Sequence, residues 1–207
     1  MIERRRFLQL GLGALSASFA GPSAQAQALP PAVAEAAVAS QDDLIGALID
    51  QSVVAAPPPR VLSLNNLHTA EKLEAVYWEN GAYVPDAVDA LNHMLRDYRT
   101  GDVAPMNLKL FDLLGDLSAT TGSRQPFQVI SGYRSPATNR LLAERSGEVA
   151  RRSLHMDGKA MDIYLEDVAL DRLRAAAQEL GMGGVGYYPD SKFVHVDVGP
   201  VRRWRGS

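Results

Sequence analysis

Two short runs near the C-terminal end constrain this chain more than anything else in it: Ala160-Met161-Asp162-Ile163-Tyr164-Leu165 and Phe193-Val194-His195-Val196-Asp197-Val198. Each alternates in polarity, and alternate residues of a β-strand share a face. In the first run Ala160, Asp162 and Tyr164 look one way, and Met161, Ile163 and Leu165 look toward a core. In the second, Phe193, His195 and Asp197 oppose Val194, Val196 and Val198. Strands placed side by side would project Asp162 and His195 from one face. His155, on the loop entering the first strand, could then close over them.

Gly158 interrupts the interval from His155 to Asp162, so these two are not stacked on a helix. Two imidazoles and a carboxylate form a three-ligand zinc set with the fourth position open to water, the pattern of catalytic zinc. A lone histidine is ordinarily a structural or solvated residue. The chain has only His68, His93, His155 and His195, however, and two of them sit in strand contexts beside carboxylates. There is no cysteine. That excludes disulfides, thiolate ligands and a cysteine nucleophile, so any metal must be held by nitrogen and oxygen.

The pattern Ser153-x-His155-x-x-Gly158-x-Ala160-x-Asp162, followed by His195, resembles the M15 zinc peptidases that act on bacterial cell walls. Ile130 to Ser135, Ser153 to Asp162, and Gly183 to Pro189 continuing through Phe193 to Pro200 resemble more closely its murein endopeptidase subgroup. The likeness spans roughly residues 60–204. It implies zinc at His155, Asp162 and His195 and a fold like that of hedgehog domains and D-alanyl-D-alanine peptidases. It also implies an arginine, here Arg134, that points into the cleft and holds substrate through its planar fork. The activity implied is an endopeptidase cutting peptidoglycan cross-links at D,D- or L,D-type bonds at meso-diaminopimelate. A D-alanyl-D-alanine carboxypeptidase and a non-catalytic, zinc-bearing wall-binding protein are the alternatives.

Hydrolysis also needs a carboxylate to accept a proton from water. Asp197, two residues from His195 on the same strand face, is the candidate, or else it orients His195. Asp190 is the other candidate for the base. Many M15 enzymes carry a Glu or His shortly before the last ligand. Here the Glu-x-x-His position holds Lys192, a departure from that pattern.

The remaining chain frames this site. Residues 1–26 read as a signal peptide: Arg4-Arg5-Arg6-Phe7-Leu8, an apolar run from Leu10 to Ala20, then Ala24-Gln25-Ala26. The apolar run is too short to span a membrane. The paired arginines suggest the twin-arginine route, an ordinary Sec signal being the alternative. Export places the mature protein outside the cytoplasm, in the periplasm. The segment carries net +2, so its removal takes the formal charge from −3 to −5. Nothing in that balance suggests a nucleic-acid partner. Residues 27–59, rich in Ala and Pro, read as a linker with a short helix around Asp42 to Ser52.

Residues 60–207 are expected to form the peptidase domain. With 46% hydrophobic and 22% charged residues in the whole chain, a packed core is expected rather than disorder. Alternation over Arg60–Asn65 and Lys72–Trp78 predicts an antiparallel pair, with a turn at Asn80-Gly81. Helical spacing predicts helices over Pro85–Tyr98, Pro105–Thr121, Pro136–Arg145 and Leu170–Leu180. Phe127–Ser131 and Val185–Tyr188 read as strands. Gly183-Gly184-Val185-Gly186 lacks the Lys-Ser/Thr of a phosphate loop and reads as a glycine-permissive approach to its strand. Short turns between strands predict an α+β fold: a mainly antiparallel sheet with helices on one face and zinc on the other.

Overall fold

The computed structural model describes residues 57–146 and 149–207. The expected signal peptide and nearly all of the expected linker, with its helix, lie outside the described residues. The elements run β1 (Arg60–Asn66), β2 (Lys72–Glu79), β3 (Ala82–Tyr83), α1 (Pro85–Met94), α2 (Leu108–Thr121), β4 (Phe127–Ser131), α3 (Pro136–Arg145), β5 (Ala160–Tyr164), α4 (Leu170–Leu180), β6 (Gly184–Tyr188), β7 (Phe193–Asp197) and β8 (Arg202–Arg205). A 3-10 turn, Leu154–Asp157, leads into β5. The strands form one eight-stranded sheet in the order β3-β2-β1-β4-β5-β7-β6-β8.

Local chemistry sets most boundaries. The β2–β3 turn places Asn80 and Gly81 at φ 51° and 84°, the double left-handed geometry that a two-residue hairpin needs. Asn107 caps α2 by accepting from Lys109 N, and Ser135 caps α3 by accepting from Thr138 N. The first predicted helix stops at Met94, short of Tyr98. Arg96 N and Asp97 N turn to His93 O and Asp102 O, which closes the chain into a loop.

The core lies where the alternation predicts. Met161 and Ile163 on β5 and Val194 and Val196 on β7 are fully buried. They join Leu110, Phe111, Leu114 and Leu117 of α2 and Leu173 of α4 in one cluster. Each such side chain contributes about 1.5–3 kcal/mol by leaving water. Helix α1 packs on β2, α2 on β1, α4 on β6 and β7, and α2 against α4.

The expected mainly antiparallel sheet is present, and two features go beyond it. The sheet is mostly antiparallel, but β1 pairs with β4, and β6 with β8, in parallel. Parallel neighbours require a crossover. The chain between β1 and β4 supplies one by passing through the hairpin, α1 and α2. Reading only the short turns conceals these pairs, because the two strands of each are far apart in sequence. Nor do all four helices serve the core. Helix α3 buries Thr138 and Asn139 rather than apolar side chains, and it braces the loop after β4. Among the described residues, no helix is long and apolar enough to cross a membrane.

Candidate metal centre

Strands β5 and β7 are adjacent and antiparallel, with Asp162 directly opposite His195. Both side chains therefore leave the sheet on the face opposite Met161, Ile163, Val194 and Val196. His155 arrives from the 3-10 turn. Ser153 accepts from His155 N at the start of that turn, and Gly158 ends it at φ 65°. A Cβ on Gly158 would also run into the carbonyl of Pro105, so glycine is required there twice over. The loop after β4 locks the turn in place: His155 Nδ1 lies 2.8 Å from Gly132 O, and Arg134 N donates to His155 O at 3.2 Å.

Three side-chain atoms converge. His195 Nδ1 is 2.9 Å from Asp162 Oδ1, His155 Nε2 is 3.3 Å from the same oxygen, and the two nitrogens are 3.2 Å apart. All three residues are buried and together could hold a metal ion. The outer partners set the tautomers. Gly132 O can only accept, so His155 donates from Nδ1 and turns a lone pair inward at Nε2. The Asp197 carboxylate accepts from His195 Nε2 at 3.1 Å, which leaves the Nδ1 lone pair facing inward. Three acceptors then face one another, an arrangement that a cation satisfies.

A proton competes with a cation for these inward atoms, since a protonated imidazole would donate to Asp162 instead. Burial holds the His155 pKa below its ordinary value, against the opposite pull of Asp162. Burial also lowers His195, but hydrogen bonds to Asp162 and Asp197 outweigh it and leave the pKa raised. Burial alone would raise Asp162. The adjacent His155 charge and hydrogen bonds from both imidazoles reverse that and drive the carboxyl far below the usual range.

Arg134 is nearly buried beside this cluster. Its Nη2 lies 3.2 Å from Ser131 Oγ and 3.5 Å from Asp162 Oδ2, and Nη1 reaches Asn139 Oδ1 at 3.5 Å. Its Nε is buried with no hydrogen-bond partner. The cluster opens into a cavity of about 350 Å³, whose lining includes Arg134, Arg152, Arg202, Tyr188, Phe193 and Trp204. Asp162 is the only carboxylate lining it among the described residues.

The two candidates for the base are placed differently. Asp197 is fully buried on the far side of His195 from Asp162. Its Oδ1 accepts from Gly184 N, Gly199 N and Arg202 Nη1, and its Oδ2 from Arg202 Nη2 and His195 Nε2. Asp190 lies exposed in the turn between β6 and β7 and does not line the cavity. His68 stacks on Tyr98 at 3.8 Å and His93 lies in the last turn of α1, so neither joins the cluster. Sequence reasoning missed β8 with Arg202 and Trp204, and it missed Asn139 behind Arg134. The alternation Arg202-Arg203-Trp204-Arg205 was the available signal for β8.

Comparison with known proteins matches residues 54–204 to the family model Peptidase M15_2, described as peptidoglycan L,D-endopeptidase MepK. The chain is 46% identical over 153 residues to the peptidoglycan L,D-endopeptidase MepK of Escherichia coli strain K12, covering 74% of this chain and 84% of that protein. The protein of the same name from Shigella flexneri gives the same figures. The probable peptidoglycan L,D-endopeptidase MepK of Haemophilus influenzae is 38% identical over 156 residues, 75% of this chain and 84% of that one. No solved structure matches the chain.

Proposed function

Because this chain belongs to the M15 peptidase family described as peptidoglycan L,D-endopeptidase MepK, we propose that it is a zinc-dependent endopeptidase cutting L,D bonds in the peptide cross-links of peptidoglycan. The observation that carries the zinc assignment is the convergence of His155 Nε2, Asp162 Oδ1 and His195 Nδ1 at 2.9–3.3 Å. Tetrahedral zinc with ligand bonds of about 2.0–2.1 Å sets its ligand atoms about 3.3 Å apart. The donor set, two neutral imidazoles and one carboxylate, suits that ion, and all three residues line the cavity, where a water would have room.

Zinc held by His155, Asp162 and His195 would supply Lewis acidity toward the scissile carbonyl and a lowered pKa for water. The protein does the rest. His155 and His195 are held in the ligating tautomers by Gly132 O and Asp197. Arg134 Nη2 lies 3.5 Å from Asp162 Oδ2, which leaves Oδ1 to face the two imidazoles. The same guanidinium is our candidate for holding a substrate carboxylate or carbonyl at the cavity wall. Arg152 adds positive charge to that wall in a chain whose formal charge is −3. The acidic peptides of a cell wall fit such a lining. Tyr188, Phe193 and Trp204 form an apolar side that limits water around the bond being cut. With its oxygens committed to five donor contacts, Asp197 acts as an orienting residue for His195 rather than as the proton acceptor. An export signal over residues 1–26 would deliver the enzyme to its substrate outside the cytoplasm.

The test is digestion of purified cross-linked murein with and without chelator, beside His155→Ala and His195→Ala. Loss of cross-linked dimers with new internal amines, abolished by chelator and by both substitutions, is expected. Release of alanine alone would make the protein a carboxypeptidase. Metal-dependent binding without product would make it a binding module.

A further inference from the structure

Strand β6 lies between β7 and β8. On the face that carries Asp162 and His195, β6 presents two glycines, Gly184 and Gly186. Gly184 is level with Arg202, and Gly186 is level with Trp204 on one side and His195 on the other. A Cβ on Gly184 would meet the Arg202 guanidinium and the Asp197 carboxylate, and one on Gly186 would meet the Trp204 indole. Both β8 side chains therefore lie across β6, through space that the glycines leave, and end on β7. Trp204 comes to rest 5.1 Å from the His195 ring, held by its Nε1 donating to Tyr188 OH. Arg202 closes on Asp197 as a two-pronged fork, Nη1 to Oδ1 at 3.1 Å and Nη2 to Oδ2 at 2.8 Å, and stacks over Trp204 at 4.9 Å.

We propose that Arg202 is a positioning residue for the metal centre, acting through Asp197 on His195. The proposal rests on the reading of His155, Asp162 and His195 as zinc ligands. Gly184 N and Gly199 N both bond Oδ1, which anchors one oxygen of Asp197 and leaves the carboxylate free to pivot about it. Only Arg202 spans both oxygens. Its fork fixes the carboxylate plane, and so the direction in which Oδ2 receives His195 Nε2. That bond holds the His195 ring with Nδ1 aimed at Asp162 and His155. Losing a partner one step behind a metal ligand costs affinity without removing a ligand. A lysine keeps the charge but cannot span both oxygens.

The experiment uses the full chain and measures zinc dissociation constants by chelator competition for wild type, Arg202→Lys and Arg202→Gln. Melting of each metal-free protein and kinetics with zinc in excess accompany it. Arg202→Gln should raise the zinc dissociation constant on the order of 10-fold, and Arg202→Lys should fall between it and wild type. Metal-free melting should fall by a few degrees at most, because the Arg202 side of the pair is partly solvated, and excess zinc should restore both kcat and KM. Wild-type zinc affinity in both variants overturns the proposal, whether melting falls, which would leave Arg202 a structural brace, or KM rises, which would make it a substrate contact. If Arg202→Gln does not fold, the lysine variant decides alone, and unchanged affinity there overturns the proposal. A wild-type protein that binds no zinc overturns the zinc reading itself, and this proposal with it.

Discussion

Asp197→Asn separates the two roles a carboxylate at this position can have. The carboxylate receives Gly184 N at 3.0 Å, Gly199 N at 2.8 Å, Arg202 Nη1 at 3.1 Å, Arg202 Nη2 at 2.8 Å and His195 Nε2 at 3.1 Å. An asparagine can keep the backbone donors on its carbonyl oxygen. Its NH2 group must then face Arg202 Nη2 and His195 Nε2, donor against donor. Each hydrogen bond to a charged group is worth about 1.5–3 kcal/mol. The Arg202 side is partly solvated and counts for less, with 44% of that side chain exposed. The His195 side is buried and cannot turn to water. Its remaining escape is to move the ring proton to Nδ1, which removes the lone pair from the atom that faces Asp162 and His155.

Zinc binding should therefore weaken about 10–100-fold, or about 1.4–2.8 kcal/mol. The assay is a zinc titration of murein hydrolysis, paired with chelator competition on the same preparations. Activity should return as zinc is raised. An Asp197→Asn protein with wild-type zinc affinity, and a loss of turnover that zinc does not restore, would refute this reasoning and make Asp197 the general base. Asp190→Asn, run alongside, should change neither quantity.

Arg134→Lys should depress kcat/KM on the order of 10-fold while keeping the charge, since a lysine cannot span Ser131, Asn139 and Asp162 as the fork does; steady-state kinetics at saturating zinc checks this, and wild-type values would make Arg134 a bystander. Asp97 links the end of α1 to the site loop by accepting from Ser135 N at 2.9 Å and Arg99 N at 3.0 Å. Burial raises its pKa, but bonds from Thr138, Ser135 and Arg99 outweigh that and leave it depressed. A depressed carboxyl contributes stability that is present above the unfolded value near 3.9 and is lost as pH falls through the folded value. Asp97→Asn should cost about 1–3 kcal/mol at pH 7, and its deficit against wild type should shrink below about pH 4. Denaturant melts across that range check the sign, and a deficit that grows toward low pH would contradict it.

The sequence alone determined the parts of this protein that depend on local periodicity. Alternation over residues 160–165 and 193–198 identified both strands and the faces of Asp162 and His195, because a strand repeats every two residues wherever it lies. The helices Pro136–Arg145 and Leu170–Leu180 were legible to the residue, since Ser135 and Gly181 cap or stop them locally. The tertiary structure alone decided which way Asp197 points. Its strand face was legible, but its partners Gly184, Gly199 and Arg202 come from β6, the following turn and β8, and no local repeat links them. The parallel pairs β1–β4 and β6–β8 were hidden for the same reason, and with them the passage of Arg202 and Trp204 over Gly184 and Gly186. Short-range patterns report which side of an element is buried. What occupies the other side, and through which gap it arrives, is set by register between strands distant in sequence, and only the assembled sheet fixes that.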